Sequence, residues 1–114
     1  MAFIRDFYGQ IIYKIDRNEI RDFYGSIKYR FRNDRIDDFY GKTLFRIDGD
    51  YIKDFYGSIK LKINNNKIQD FNGRIIGSFD SNYIKDFYGT IKFKIDGNLS
   101  KDEMYALIAI TYGL

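Results

Sequence analysis

Apolar and polar side chains alternate along most of this chain with a period of two. Ile59, Leu61 and Ile63 alternate with Lys60 and Lys62, and Ile91, Phe93 and Ile95 alternate with Lys92 and Lys94. A pleated strand turns such an alternation into one apolar and one polar face, whereas an amphipathic helix needs apolar positions about 3.6 residues apart. β-branched and aromatic residues dominate these stretches, and both suit a half-buried pleated surface. The pattern predicts strands.

The strands recur in register. Asp6, Asp22, Asp38, Asp54, Asp70 and Asp86 each open a copy of one phrase, and Gly9, Gly25, Gly41, Gly57, Gly73 and Gly89 follow three positions later. The period is 16 residues without insertion, and six copies fill residues 4–98. Each copy has two turns. In the first, Asp-Phe-Tyr-Gly, the carboxylate can accept backbone amides and the glycine supplies a positive φ. The second is a dipeptide such as Arg17-Asn18, Asn33-Asp34 or Asn65-Asn66, whose second member is Asn or Asp in every copy. That choice predicts a left-handed residue at the second position. Turns with even numbers of residues let Ile52 and Ile59, and likewise Ile63 and Ile68, share the apolar face. One arm of each hairpin is short and the other long, so each long arm is shared between two short neighbours and the sheet must step and coil.

The expected fold is therefore all-β: a single domain over 1–114, a twisted antiparallel meander of six hairpin repeats with about twelve short strands, which its twist can roll up. The alternative is a β-solenoid with one copy per coil. Residues 99–114 depart from the pattern. Asp102 keeps the beat without a following Phe-Tyr-Gly, Ser100 and Glu103 form a capping-box pair, and Met104, Leu107, Ile108 and Thr111 recur at helical spacing before Gly113. A seventh copy is expected to have become a buried helix that closes one end of the repeats or covers their apolar face, with Gly113 as its stop.

Composition narrows the chemistry. The 114 residues contain no Cys, no His and no Pro, but 11 Tyr and 11 Phe. Without Cys and His, disulfides, thiolate metal sites, zinc ligands and the commonest general base are all unavailable. A repeat also places the same group in the same surroundings each time, whereas catalysis needs groups tuned apart. No catalytic residue, cofactor or metal is expected, and the six repeat aspartates read as partners of their own turns rather than as a calcium ladder. A formal charge of +3 is too mild by itself to argue for nucleic acid. The opening MAFIRDFYG enters the first copy at once, which reads as a cytoplasmic protein without a signal peptide, and no apolar run is long enough for a membrane span.

Three sets of residues are candidates for binding. The middle of the outward face carries Lys28, Lys60 and Lys92 in the even copies, joined by Arg30, Lys62 and Lys94 two positions on and flanked by Arg21, Lys53 and Lys85. Such a basic stripe can neutralise phosphates in nucleic acid or another polyanion. In the odd copies the same position holds Ile12, Leu44 and Ile76, so the true period is 32. An apolar stripe there suggests covered copies alternating with exposed ones, the cover being the helix, the opposite wall of a rolled sheet or, as an association surface, a protein partner or second copy. The Phe-Tyr pairs, Phe7-Tyr8, Phe23-Tyr24, Phe39-Tyr40, Phe55-Tyr56 and Phe87-Tyr88, with Phe71-Asn72 in the fifth copy, fall along one edge. Rings so placed either pack on each other or stack sugars and bases.

The unit Asp54-Phe55-Tyr56-Gly57-Ser58-Ile59, of form DxxGxI, resembles the hairpin unit of bacterial short tandem β-hairpin repeat proteins. More distantly it resembles the YD repeats of bacterial surface and toxin shells, and more loosely MORN repeats. YD repeats are longer, and the Tyr that names them is here Lys, Arg, Asp or Gln. The resemblance implies a bacterial, non-enzymatic module that is structural or binds a protein partner, with nucleic-acid and carbohydrate binding as alternatives. It implies no site.

Overall fold

The computed structural model describes residues 1–32 and 34–114, so the Asn33 half of the Asn33-Asp34 turn lies outside the described residues. Twelve antiparallel strands alternate short and long: β1 (Ala2–Arg5), β2 (Ile11–Asp16), β3 (Glu19–Arg21), β4 (Ile27–Arg32), β5 (Arg35–Asp38), β6 (Thr43–Asp48), β7 (Tyr51–Asp54), β8 (Ile59–Asn64), β9 (Lys67–Asp70), β10 (Ile75–Phe79), β11 (Tyr83–Asp86) and β12 (Ile91–Asp96). They form an up-and-down meander, and β12 returns to pair with β1, closing the sheet into a barrel. The twist of the meander is thus carried through to full closure, and antiparallel pairing throughout removes the solenoid alternative. A closed barrel has no free edge strand.

Closure repeats a pairing already used inside the chain. Ile15 opposes Ile20, Ile47 opposes Ile52 and Ile63 opposes Ile68 across the second turns, and Ile95 opposes Ile4 across the seam. Where the other copies have a turn, the seam has hydrogen bonds alone, and at Gly97, with φ 119°, a Cβ would come within 2.8 Å of the Met1 carbonyl. Ile4, Ile15, Ile20, Ile36, Ile52, Ile68 and Ile84 are wholly buried. Each such side chain contributes about 1.5–3 kcal/mol relative to an exposed one.

One register differs from the even-turn expectation. Ile52 opposes Leu61, and Lys53 opposes Ile59, with Lys60 left as a bulge. The same shift occurs in all six hairpins. Ile59 therefore lies on the outer face with Lys53, 41 % exposed, and the buried partner of Ile52 is Leu61, two residues further along β8. The second turns also differ from expectation. In the Arg17-Asn18 and Asn65-Asn66 turns the left-handed residue is the first of the pair, at φ 57° and 56°, not the second. The second residue instead offers its carbonyl across the turn's neighbour: Phe31, Ile63 and Phe79 donate their backbone N–H groups to Asn18, Asp50 and Asn66.

The C-terminal helix α1 (Lys101–Tyr112) has the expected start: the Ser100 hydroxyl accepts from the Glu103 amide and the Glu103 carboxylate accepts from the Ser100 amide. Its position is more extreme than a lid. Seven consecutive residues, Met104 to Ile110, are buried, which one side of a helix cannot provide. A helix apolar all round belongs in an interior. Here the interior is the barrel lumen, where Tyr105 reaches Asp50 in the β6–β7 turn, Tyr112 reaches the Lys85 carbonyl on β11, and Gly113 lies against Phe45 on β6. Gly113 stops the helix in right-handed rather than left-handed geometry. Its role is steric, since a Cβ would come within 2.8 Å of the Phe45 ring.

Gly77 answers the same demand from the wall. The equivalent inward position is Tyr13, Tyr29, Phe45, Leu61 or Phe93 in the other copies. At Gly77 a Cβ would come within 2.7 Å of the Tyr112 hydroxyl and 2.6 Å of the Lys85 carbonyl. The wall has given up a side chain so that the end of the helix can fill the space.

Two predictions follow from this packing. Asp37, 5 % exposed, accepts a hydrogen bond from Thr43 opposite it at 3.0 Å and lies 3.7 Å from Arg35, where the other copies place a cation or Gln opposite Ile. Thr43→Ile should cost roughly 1–3 kcal/mol by leaving a buried carboxylate short of a donor, and adding Asp37→Lys should recover most of that loss; urea denaturation of both variants checks the coupling. Tyr105 and Tyr112 are each pushed from 10.0 up to about 12, chiefly by burial, then by the hydrogen bond to Asp50 for Tyr105 and by the charge of Asp86 for Tyr112. The folded protein therefore keeps protons that the unfolded chain releases. The stability this gives is complete below about pH 10 and is lost as pH rises towards 12. The decline should be shallower in Tyr105→Phe, Tyr112→Phe, as followed by denaturation and tyrosinate absorbance.

Candidate functional site: an aromatic rim

The five Asp-Phe-Tyr-Gly turns and Asp70-Phe71-Asn72-Gly73 each join a short strand to the following long strand, so in an up-and-down barrel all six emerge at the same end. The turns are rigidly built. In each, the aspartate Oδ1 accepts two backbone amides, as Asp54 does from Tyr56 at 2.9 Å and Ser58 at 3.0 Å. The glycine amide donates to the aspartate carbonyl, and the glycine sits at φ 82–88°. The six carboxylates are thereby engaged in their own turns.

The rings these turns carry are displayed, not buried. Tyr8, Tyr24, Tyr40, Tyr56 and Tyr88 are 86–90 % exposed, and the accompanying phenylalanines are 52–71 % exposed. Each Phe meets its own Tyr edge to face, with centroids 5.3–5.5 Å apart. The mutual packing anticipated for these residues is thus confined within single turns.

The bulges supply the ground between the turns. Because of the register shift, Ile11, Ile27, Ile59, Ile75 and Ile91 oppose the outward residues Arg5, Arg21, Lys53, Gln69 and Lys85 and form an outer apolar collar beneath the rings. A shallow cleft opens between neighbouring hairpins. Ile75, Ile76, Phe87 and Tyr88 line one with Arg74, and Ile27, Lys28, Phe39 and Tyr40 line another with Arg21.

The two stripes expected from the sequence take a different form. Lys28, Lys60 and Lys92 are the bulge residues of β4, β8 and β12, while Ile12, Leu44 and Ile76 are those of β2, β6 and β10. Members of each set stand four strands apart round a twelve-strand wall, so neither set is gathered on one face. Lys28, Lys60 and Lys92 are exposed, with Lys92 over the Tyr112 ring. Ile12, Leu44 and Ile76 are half-buried and pack against the core. Arg30 lies 3.7 Å from Glu19, Lys62 stands over the Tyr51 ring, and Lys94 is exposed near the middle of the wall. The flanking Arg21, Lys53 and Lys85 sit immediately before the turn aspartates, and Arg21 donates to the Gly25 carbonyl. The 32-residue period shows in the two clefts, one lined by Ile76 and the other by Lys28 at the equivalent position.

Among the described residues, no group of His, Cys, Asp and Glu side chains is arranged to hold a metal ion. Among the same residues, no helix is long and apolar enough to cross a membrane. No family model, curated protein or solved structure matches the chain.

The rim separates turn-building from display, and this can be measured. Asp54→Ala should cost about 1–2 kcal/mol through the loss of two amide partners. Tyr56→Ser should change stability by no more than about 0.5 kcal/mol, because the ring touches little but its neighbour. Urea midpoints of the two variants give the comparison.

Proposed function

We propose that the protein is a non-enzymatic docking module, in which the barrel is the scaffold and the aromatic rim the contact surface. The observation that carries this reading is the exposure of five tyrosines and six phenylalanines at one end of a barrel whose turns are fixed by carboxylate-to-amide bonds. Large apolar surface collected in one place marks an interaction site more often than it marks chance, and rings held on rigid turns lose little conformational freedom on binding.

The remaining polar groups support a non-catalytic role. The rim acids are engaged in their turns, and the tyrosines whose protons are most firmly held, Tyr105 and Tyr112, belong to the packing of α1. The kinship with bacterial short-repeat modules suggested by DxxGxI agrees with a binding role. Nucleic-acid binding by the basic residues is the weaker reading, because those residues are spread round the circumference.

A photo-crosslinking amino acid placed in living cells at Tyr24 or Tyr56, and for comparison at Lys14 or Lys94 on the side wall, tests the assignment. Crosslinked products, whether to protein, lipid or a second copy, should come from the rim positions. Products confined to the wall positions, or none from any position, would remove the rim as the docking surface.

A further inference from the structure

Building on the rim as the contact surface, we infer that its partner is the headgroup layer of an anionic lipid bilayer, which the barrel meets end on without spanning it. The first argument is shape and sameness. A folded protein partner is recognised through a few distinct anchors of unequal importance, whereas this rim repeats one Phe-Tyr unit five times, with Phe71 in the remaining turn. A set of identical contacts closing on itself suits a partner that looks the same under every turn, as a plane of lipid headgroups does. Tyrosine, with an apolar ring and a polar tip, and phenylalanine beside it are suited to the boundary between headgroup and acyl chain. The outer isoleucine collar continues that apolar surface a short way up the wall. Beyond it the wall carries Arg30, Arg46 and Lys94, exposed side chains that a bilayer-spanning barrel could not present to lipid.

Charge is the second argument. Every turn is flanked by one cation, although not always at the same position: Arg5, Arg21, Lys53 and Lys85 precede the aspartate, and where Asp37 and Gln69 stand there instead, Lys42 and Arg74 follow the glycine. The cation is thus kept at all six turns while its place in the chain changes. It offsets the turn aspartate, and with Lys28, Lys60 and Lys92 at the neighbouring bulges the aromatic end carries nine cationic side chains against seven acidic ones, Asp37 included. The opposite end gathers Asp16, Asp34, Asp48, Asp50, Asp80 and Asp96 with fewer cations. A molecule charged in this sense is turned rim first towards a negatively charged surface.

Flotation with phosphatidylcholine vesicles, with and without roughly 30 % phosphatidylserine, tests the proposal. The protein should float with the anionic vesicles and much less with the neutral ones, and binding should weaken as salt rises from about 0.05 to 0.5 M. Tyr24→Ser, Tyr56→Ser, Tyr88→Ser combined should reduce binding at least about tenfold, and Lys28→Glu, Lys42→Glu, Lys60→Glu should abolish the preference for anionic lipid. Unchanged melting curves would show both variants folded. Absence of flotation, equal flotation with both vesicle types, or binding that survives the tyrosine variant would overturn the proposal. Rim crosslinks to protein in cells without flotation would leave the docking surface standing and remove the bilayer as its partner.

Discussion

A ring of twelve strands encloses more space than its own inward side chains can fill, and the rest of this structure depends on how that space is occupied. Eight strands leave an interior that side chains alone close. With twelve, the lumen has room for an α-helix about 10 Å across, and here a helix apolar on all sides occupies it. The wall supplies Ile, Leu and Phe from every strand, and the helix supplies Met104 to Ile110. Neither part has a stable interior without the other, because the inward face of the open sheet and the whole circumference of the helix would both be wet.

The same constraint explains where the copies cease to be identical. Gly77 and Gly113 are points at which wall and helix leave no room for a side chain, one yielding to the Tyr112 hydroxyl and the other to the Phe45 ring. Asp37 and Thr43 replace the usual cation and isoleucine as a pair. At Gly77 the departure from the repeat falls where the barrel meets its asymmetric contents, whereas Asp37 and Thr43, on the outer collar, change together as a matched pair.

Much of the local structure was legible in the chain because it is decided locally. Period-two alternation located the strands, the Asp-to-Gly spacing located the tight turns, and Ser100 with Glu103 located the helix start. Closure was not legible, since it depends on the summed twist of twelve strands and no residue announces it. The bulge was hidden because Ile59 is apolar and passes for a core residue, although one unpaired lysine beside it places it outside. The lysine and isoleucine sets looked like stripes only because a linear chain does not show that every second copy lies a third of the way round a circle. Gly77, the lone small residue in a column of large ones, was the available sign that something else fills the lumen. The aromatic turns were visible as candidates, but their high exposure follows from the outward path of rigid turns at a barrel rim.

The occupied lumen also sets how many copies the chain can contain. Losing one hairpin would shrink the circumference until the wall pressed on the α1 backbone, and gaining one would open a gap along the whole helix that Met104, Leu107 and Ile108 are too short to bridge. The helix works as a mandrel of fixed gauge round which the sheet is wound. Such a family of hairpins cannot drift in number by simple duplication, as an open solenoid can, unless the core rod changes thickness with it.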